Sequence, residues 1–257
     1  MITSASNQKI KLVRNLQNRN RIRQDEGAFV AEGVRLLEEA VDVRWPIKFV
    51  FYDETLSERG QHLISRLNDL QGVEIAQIPT GLMAEISDTE TPQGILGVLA
   101  LQALALNPKP TILIIADQIR DPGNLGTLLR TAEAAGADGV LLSPGTVDGF
   151  SPKVVRSGMG AHFHLPILSA TWHEIKTIVG DIPVYLADST GGTTLWNADL
   201  RSTCALLVGG EAFGASKEGE QIATHRITSP MPGRAESLNA AIAAGILIAE
   251  VLRQRST

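Results

Sequence analysis

The residues best suited to chemistry stand in one stretch, Asp117 to Ala132. It reads D-Q-I-R-D-P-G-N-L-G-T-L-L-R-T-A and follows the apolar run Ile112-Leu113-Ile114-Ile115-Ala116. A helical side chain leans toward the N-terminus of its helix, so Arg130 passes over Gly126, which has no side chain to block it. The guanidinium fork then reaches the helix mouth, where Asn124 and free backbone amides converge. Those donors and the helix dipole favour negative charge, either a phosphate or a developing oxyanion. A surface ion pair with Asp121 or Glu133 is the other use for the same arginine. Two more polar, glycine-containing loops also follow apolar runs. One is Gly209-Gly210-Glu211 after Cys204-Ala205-Leu206-Leu207-Val208, and the other surrounds Pro230 after Ile227. Ligands of α/β proteins bind where loops leave the C-terminal ends of strands, so one composite site is the economical reading.

The elements that must position these loops follow from periodicity. The Ile112 run predicts a buried strand, and Asn124 is the predicted N-cap of a helix running through Leu125, Leu128, Leu129 and Ala132 to a stop at Gly136. Later strands are expected at 138–142, 162–165, 183–187 and 205–208, with helices at 172–179 and 237–252. Together they predict a mostly parallel, covered sheet. The earlier part predicts a basic helix at 9–17, strands at 29–31, 48–52, 73–75 and 95–100, and helices at 34–41 and 58–70. The Pro108-Lys109-Pro110 segment stops regular structure, so the expected domains are 1–106 and 107–257.

Composition narrows the function. At 257 residues, with 44% hydrophobic and 4% aromatic residues, the chain reads as an ordinary globular protein. No apolar run approaches the ~20 residues of a membrane span. The N-terminal residues show no apolar segment of signal-peptide type. The single cysteine, Cys204, sits in an apolar run, which predicts a core thiol and a cytoplasmic protein. His162 and His164 have no suitably spaced acidic or Cys companions, so no metal site is expected. G-x-S-x-G, Walker A and G-x-G-x-x-G patterns are absent. The formal charge of −5 argues against a generally basic nucleic-acid binder, yet Lys9, Lys11, Arg14, Arg19, Arg21 and Arg23 all precede the first acid, Asp25. A basic arm on an acidic body can meet a phosphate backbone; a solvated helix face would have the same composition. Lys153 and Arg156, between Gly-rich turns beside the site, are further candidates for RNA phosphate contacts, with a solvated face the equal alternative.

Taken together, three stretches resemble the motifs of the SpoU (TrmH) family of S-adenosyl-L-methionine (SAM)-dependent RNA ribose 2'-O-methyltransferases, within the SPOUT superfamily. They are Asn124-Leu125-Gly126-Thr127-Leu128-Leu129-Arg130, Leu207-Val208-Gly209-Gly210-Glu211, and Pro230-Met231 with Ser237-Leu238-Asn239. The first part is similar to the family's L30e-like substrate-binding domain, on Ile2-Thr3-Ser4 and Phe29-Val30-Ala31-Glu32-Gly33. The resemblance implies a C-terminal α/β domain with a trefoil knot, a rare exception to ordinary topology, and a homodimer. It also implies SAM held against Leu186, Ala187, Gly209, Ser229, Pro230, Met231 and Leu238. Two positions depart from the pattern: Ser229 and Ala240 stand where the family usually has an aliphatic and a larger aliphatic residue.

For a methyl transfer to a ribose hydroxyl, the resemblance places the reaction on Asn124, Arg130, Glu211, Ser237 and Asn239. Arginine is effectively always protonated, so Arg130 is expected to stabilise the developing 2'-oxyanion rather than to act as a base. Asn124 would orient the ribose or Arg130, and Glu211 would fix Arg130 or the incoming hydroxyl. Ser237 and Asn239 would close the site; an N-cap at Ser237 and a buried Asn239 satisfied by backbone are the alternative. The L30e-like module resembles that of enzymes acting on 23S ribosomal RNA, which makes ribosomal RNA the expected substrate. A tRNA 2'-O-methyltransferase is the nearer alternative. A non-catalytic RNA-binding or ribosome-assembly protein is the more distant one, since Asn124, Arg130 and Glu211 are all present.

Overall fold

Apolar residues at helical and strand spacing gather around two separate sheets in the computed structural model, which describes residues 2–210 and 214–256. Met1–Gln102 and Phe150–Phe163 form one unit; Ala103–Gly149 and His164–Thr257 form the other.

In the first unit α1 (Gln8–Asn18) buries Ile10, Val13 and Leu16 at three-residue spacing and is capped by the Asn7 side chain. α2 (Asn20–Glu26) ends on Gly27, whose φ of 53° is the left-handed conformation that glycine adopts at no steric cost. Then come β1 (Ala28–Glu32), α3 (Val34–Asp42), β2 (Ile47–Tyr52), α4 (Glu58–Asn68), β3 (Glu74–Gln77), α5 (Thr80–Ile86) and β4 (Ile95–Ala100). The sheet order is β1-β4-β2-β3, antiparallel except for the β2–β3 pair. Its core includes Phe51, Val30, Leu96 and Val98 against Ile10, Val13 and Leu16.

The second unit opens with β5 (Ile112–Asp117), α6 (Pro122–Ala134) and β6 (Gly139–Leu142). The chain then enters the first unit as α7 (Pro152–Gly158), where Phe150 packs its ring 5.2 Å from Phe29. The second unit resumes with β7 (Ile167–Ser169), α8 (Trp172–Val179), β8 (Val184–Ala187), β9 (Thr193–Thr194), β10 (Cys204–Gly209), α9 (Lys217–Ile222), β11 (His225–Thr228) and α10 (Ala240–Arg255). The order β7-β6-β5-β10-β8-β11-β9 is parallel throughout. Helices cover both faces of such a sheet, which is why β5 and β10 are almost continuously apolar. Cys204 is buried at the start of β10, where burial pushes its thiol pKa up.

Three local expectations are corrected. The alternating His162–Leu165 segment is not a strand: Ala161–Phe163 form a 3-10 turn, with the buried His162 ring edge-on to Phe150 at 5.3 Å. The strand begins after Pro166, at Ile167. Asn124 does not cap α6. Asp121 does, its side chain accepting from Asn124 N at 2.8 Å, with Pro122 in the first turn where its missing N–H costs nothing. Nor does the last helix begin at Ser237; Asn239 is the N-cap of α10.

Candidate active site

With Asp121 as the cap, the Asn124 side chain takes another role. Its Oδ1 accepts a 2.9 Å bond from Asn239 Nδ2, across 115 residues of chain. Asn239 uses its own Oδ1 to accept from Ala241 N and Ile242 N at 2.9 and 3.3 Å, capping α10. One side chain therefore starts a helix and ties it to the loop after β5. Contrary to the buried placement weighed from sequence, Asn239 is exposed.

Beside this pair, a cavity of about 590 Å³ opens at the C-terminal ends of β8, β10 and β11. Leu186, Ala187, Gly209, Ser229, Met231, Ser237 and Leu238 line it, each expected at the site; Pro230 does not. The glycines explain how the backbone approaches so closely. A Cβ on Gly209 would lie 2.3 Å from the Gly214 carbonyl carbon, and one on Gly210 would lie 2.4 Å from the Gln118 carbonyl oxygen. Gly210 and Gly214 also exchange backbone hydrogen bonds of 3.0 and 3.1 Å.

Several residues of the wall went unread in the sequence. Among the described residues, Asp188, Glu220 and Glu236 contribute three carboxylates, against the one guanidinium of Arg226. Arg226 donates to Asp188 at 2.7 Å and lies 3.5 Å from Glu220; the bond to Asp188 leads the causes that raise its pKa. The surplus of acid favours a cationic ligand. Behind the wall, fully buried Asp117 accepts from Ser143 Oγ at 2.7 Å and from Ser216 N at 2.6 Å. It thereby joins the loops after β6 and β10. An acid closing an otherwise apolar strand was the available signal.

Arg130 stands exposed on α6, and Asn124, Arg130 and Asn239 are not among the residues that line the cavity. Glu211 lies outside the described residues. The N-terminal cations have mixed surroundings. Lys9 pairs with Glu74 and sits 5.3 Å above the Phe49 ring; Arg14 pairs with Glu85 at 2.5 Å and Arg21 with Asp25 at 3.5 Å. Lys11 is exposed. Arg23 corrects the RNA-facing expectation. It is only 4% exposed and donates to the carbonyls of Leu16 and Gln17, so it closes the end of α1 rather than facing solvent. Lys153 and Arg156, expected beside the cavity, lie on α7 in the first unit, with Arg156 2.8 Å from Asp88.

A cavity at the C-terminal edge of a parallel sheet, floored by glycines, defines a small-molecule site of the α/β kind. Residues 111–249 match the SpoU rRNA Methylase family, and residues 7–97 match the MRM3-like substrate binding domain. The chain belongs to the SpoU rRNA methylase family. It is 34% identical to the 23S rRNA (guanosine(2553)-2'-O)-methyltransferase RlmP of Bacillus subtilis, over 96% of this chain and 97% of that one. It is 32% identical to the 23S rRNA (uridine(2479)-2'-O)-methyltransferase of Streptomyces viridochromogenes, over 93% and 87%. The AdoMet-bound rRNA methyltransferase from Sinorhizobium meliloti superposes with a TM-score of 0.86 at 31% identity, covering 98% of this chain and 97% of that one.

Proposed function

We propose that the chain transfers a methyl group from SAM to a ribose 2'-hydroxyl of ribosomal RNA, with 23S RNA the favoured substrate. The observation that carries this reading is the Asn124–Asn239 bond, which joins the first and third motifs beside the cavity. The cavity fits SAM in three respects. Its volume lies within the ~300–1,000 Å³ of small-molecule sites, Gly209 and Gly210 line it with bare backbone, and its acid surplus suits a sulfonium. Leu186, Ala187, Gly209, Ser229, Met231 and Leu238 would hold the cofactor, with Pro230 shaping the segment.

When bound, SAM supplies an electrophilic methyl on a positively charged sulfur. The chain's own groups would align the ribose hydroxyl with that methyl, so that the oxygen takes the methyl as its S–C bond breaks and the hydroxyl proton leaves to phosphate or water. Positioning of this kind supplies several kcal/mol of the barrier. Arg130 stabilises the developing oxyanion, Asn124 and Asn239 fix the loops around it, Ser237 closes the cavity wall, and Glu211 orients Arg130 or the hydroxyl. Lys11, Lys9, Arg14, Arg21, Lys153 and Arg156 contact RNA phosphates; exposed ion pairs are weak enough to exchange for them. The chain acts as a trefoil-knotted homodimer in the cytoplasm. Buried Cys204 suits that reducing compartment, and among the described residues no helix is long and apolar enough to cross a membrane.

The test is incubation with methyl-labelled SAM and, separately, unmodified 23S RNA, 16S RNA and tRNA, with Arg130→Ala as control. Label at an alkali-resistant 23S linkage that disappears in the variant supports the reading. Label on tRNA keeps the chemistry and changes the substrate. SAM binding lost altogether would favour a non-catalytic protein.

A further inference from the structure

The arginines of the second unit fall into two groups. Arg201 holds Asp199 through two bonds of 2.8 Å, Arg253 holds Glu250 at 2.8 and 2.7 Å, and Arg226 holds Asp188. Arg255 donates to the carbonyls of Leu200 and Thr111 at 3.2 and 3.1 Å. Arg120, Arg130 and Arg234 are exposed, and their side chains make no hydrogen bond or ion pair with any described residue.

Arg120 and Arg234 lie on the two segments that the Asn124–Asn239 bond ties together, four residues before Asn124 and five before Asn239. The backbone presenting Arg120 is held firmly. Gln118 adopts a φ of 55°, with its N–H bound to Ser143 Oγ at 3.2 Å. Ile119 is fully buried, and its carbonyl accepts from Val147 N at 2.9 Å. A non-glycine residue in that conformation is strained and persists only where the surroundings enforce it. Arg234 lies between Met231 and Glu236, both of which line the cavity. The chain carries a net charge of −5 and the cavity wall an excess of carboxylate, so neither attracts a phosphate backbone. Within the second unit, attraction for phosphate must come from cations that are not already neutralised.

We propose that Arg120 and Arg234 form a phosphate clamp, each binding a phosphodiester of the RNA strand that carries the target ribose. The proposal rests on the RNA methyl-transfer reading above. Arg120 follows the strand end and precedes the helix cap, so its guanidinium is displayed from a fixed base. Arg234 supplies the second contact from the segment leading to Asn239. An Arg fork matches phosphate geometry in two bonds, and such contacts set register without reading bases.

The experiment measures affinity for one RNA fragment from about 50 to 200 mM salt, for wild type, Arg120→Gln, Arg234→Gln, the double variant and Arg201→Gln. SAM affinity is measured in parallel by calorimetry. Each clamp variant is expected to reduce the salt slope by about 0.7 for a single strand, and the double variant to weaken RNA binding roughly tenfold with SAM affinity unchanged. Arg201→Gln, whose arginine is already neutralised by Asp199, keeps the wild-type slope. Lysine at either position restores most of the slope. Unchanged slopes in both glutamine variants, or a matching loss of SAM affinity, would overturn the clamp while leaving the methyl-transfer reading intact. A wild-type protein that binds SAM but neither binds nor methylates RNA removes the methyl-transfer reading, and the clamp with it.

Discussion

The two edges of the seven-stranded sheet are built to opposite ends. At the N-terminal edge, near the starts of β10 and the end of α10, the charged groups are closed on one another: Arg201 on Asp199, Arg253 on Glu250, and Arg255 on backbone carbonyls. At the C-terminal edge, glycines let loops pack backbone against backbone, two asparagines bridge loops, and Arg120 and Arg234 are left without partners among the described residues. The first edge closes its arginines on structure; at the second only Arg226 is closed in that way, on Asp188, and the other two stay available for ligands. Strand direction explains the division, since only the C-terminal ends of parallel strands release their loops toward a common crevice.

Variants at the two edges should therefore fail differently. Arg130→Ala is expected to lower kcat by roughly 10²–10³, or about 2.7–4 kcal/mol in the barrier, the usual result of removing one oxyanion-stabilising donor. Steady-state kinetics, with SAM affinity measured separately, checks this; a loss carried by SAM affinity would assign Arg130 to cofactor binding. Gly210→Ala places a Cβ 2.4 Å from the Gln118 carbonyl oxygen. Forcing the loops apart should cost roughly 1–3 kcal/mol of stability and raise the SAM dissociation constant, observed by urea unfolding and calorimetry. Asn239→Ala removes the α10 cap, worth about 1 kcal/mol, and breaks the bond to Asn124. Its turnover should fall more than its stability, whereas Asn239→Asp should recover the cap without the donor to Asn124.

The smallest effect belongs to the opposite edge and appears only in acid. Hydrogen bonding from Arg253 and then Gln254 holds the Glu250 carboxyl at about 2, and Arg201 holds Asp199 at about 2. Both folded values lie below the ordinary 4.5 and 3.8. Their stabilisation is therefore complete above the ordinary carboxylate range and is lost as pH falls toward 2. Urea midpoints between pH 5 and 2 should decline less steeply in Glu250→Gln and Asp199→Asn than in wild type. A wild-type decline that both variants retain would place the acid sensitivity elsewhere.

Much of this was legible in the residues themselves. The apolar Ile112 run, the periodic α3 and α8, and the glycine stop after α6 are local patterns, in which each residue's neighbours in space are its neighbours in sequence. The three motif stretches were legible for the same reason, and six of the seven residues expected to hold the cofactor line the cavity. Short elements with weak periodicity escaped notice: α2, α5, α9 and the two-residue β9. The His162–Leu165 segment, with its histidines alternating with Phe163 and Leu165, reads as a strand, but the 3-10 turn buries Ala161, His162 and Phe163 in succession.

What tertiary structure decided was the assignment of competing polar groups. Asp121 and Asn124 are both competent caps, and only the presence of Asn239 across the fold makes it advantageous for Asn124 to be released. Asp117 reads as the polar end of a strand until Ser216, 99 residues later, closes on it. Phe150 to Phe163 join the first unit through the Phe29 contact, which nothing in their own composition specifies. Periodicity and cap chemistry act over four residues or fewer, so the sequence by itself determined the elements and the chemical types at their ends. A hydrogen bond between distant segments has no local signature, so which of those ends meet was decided only when the sheet ordered its strands.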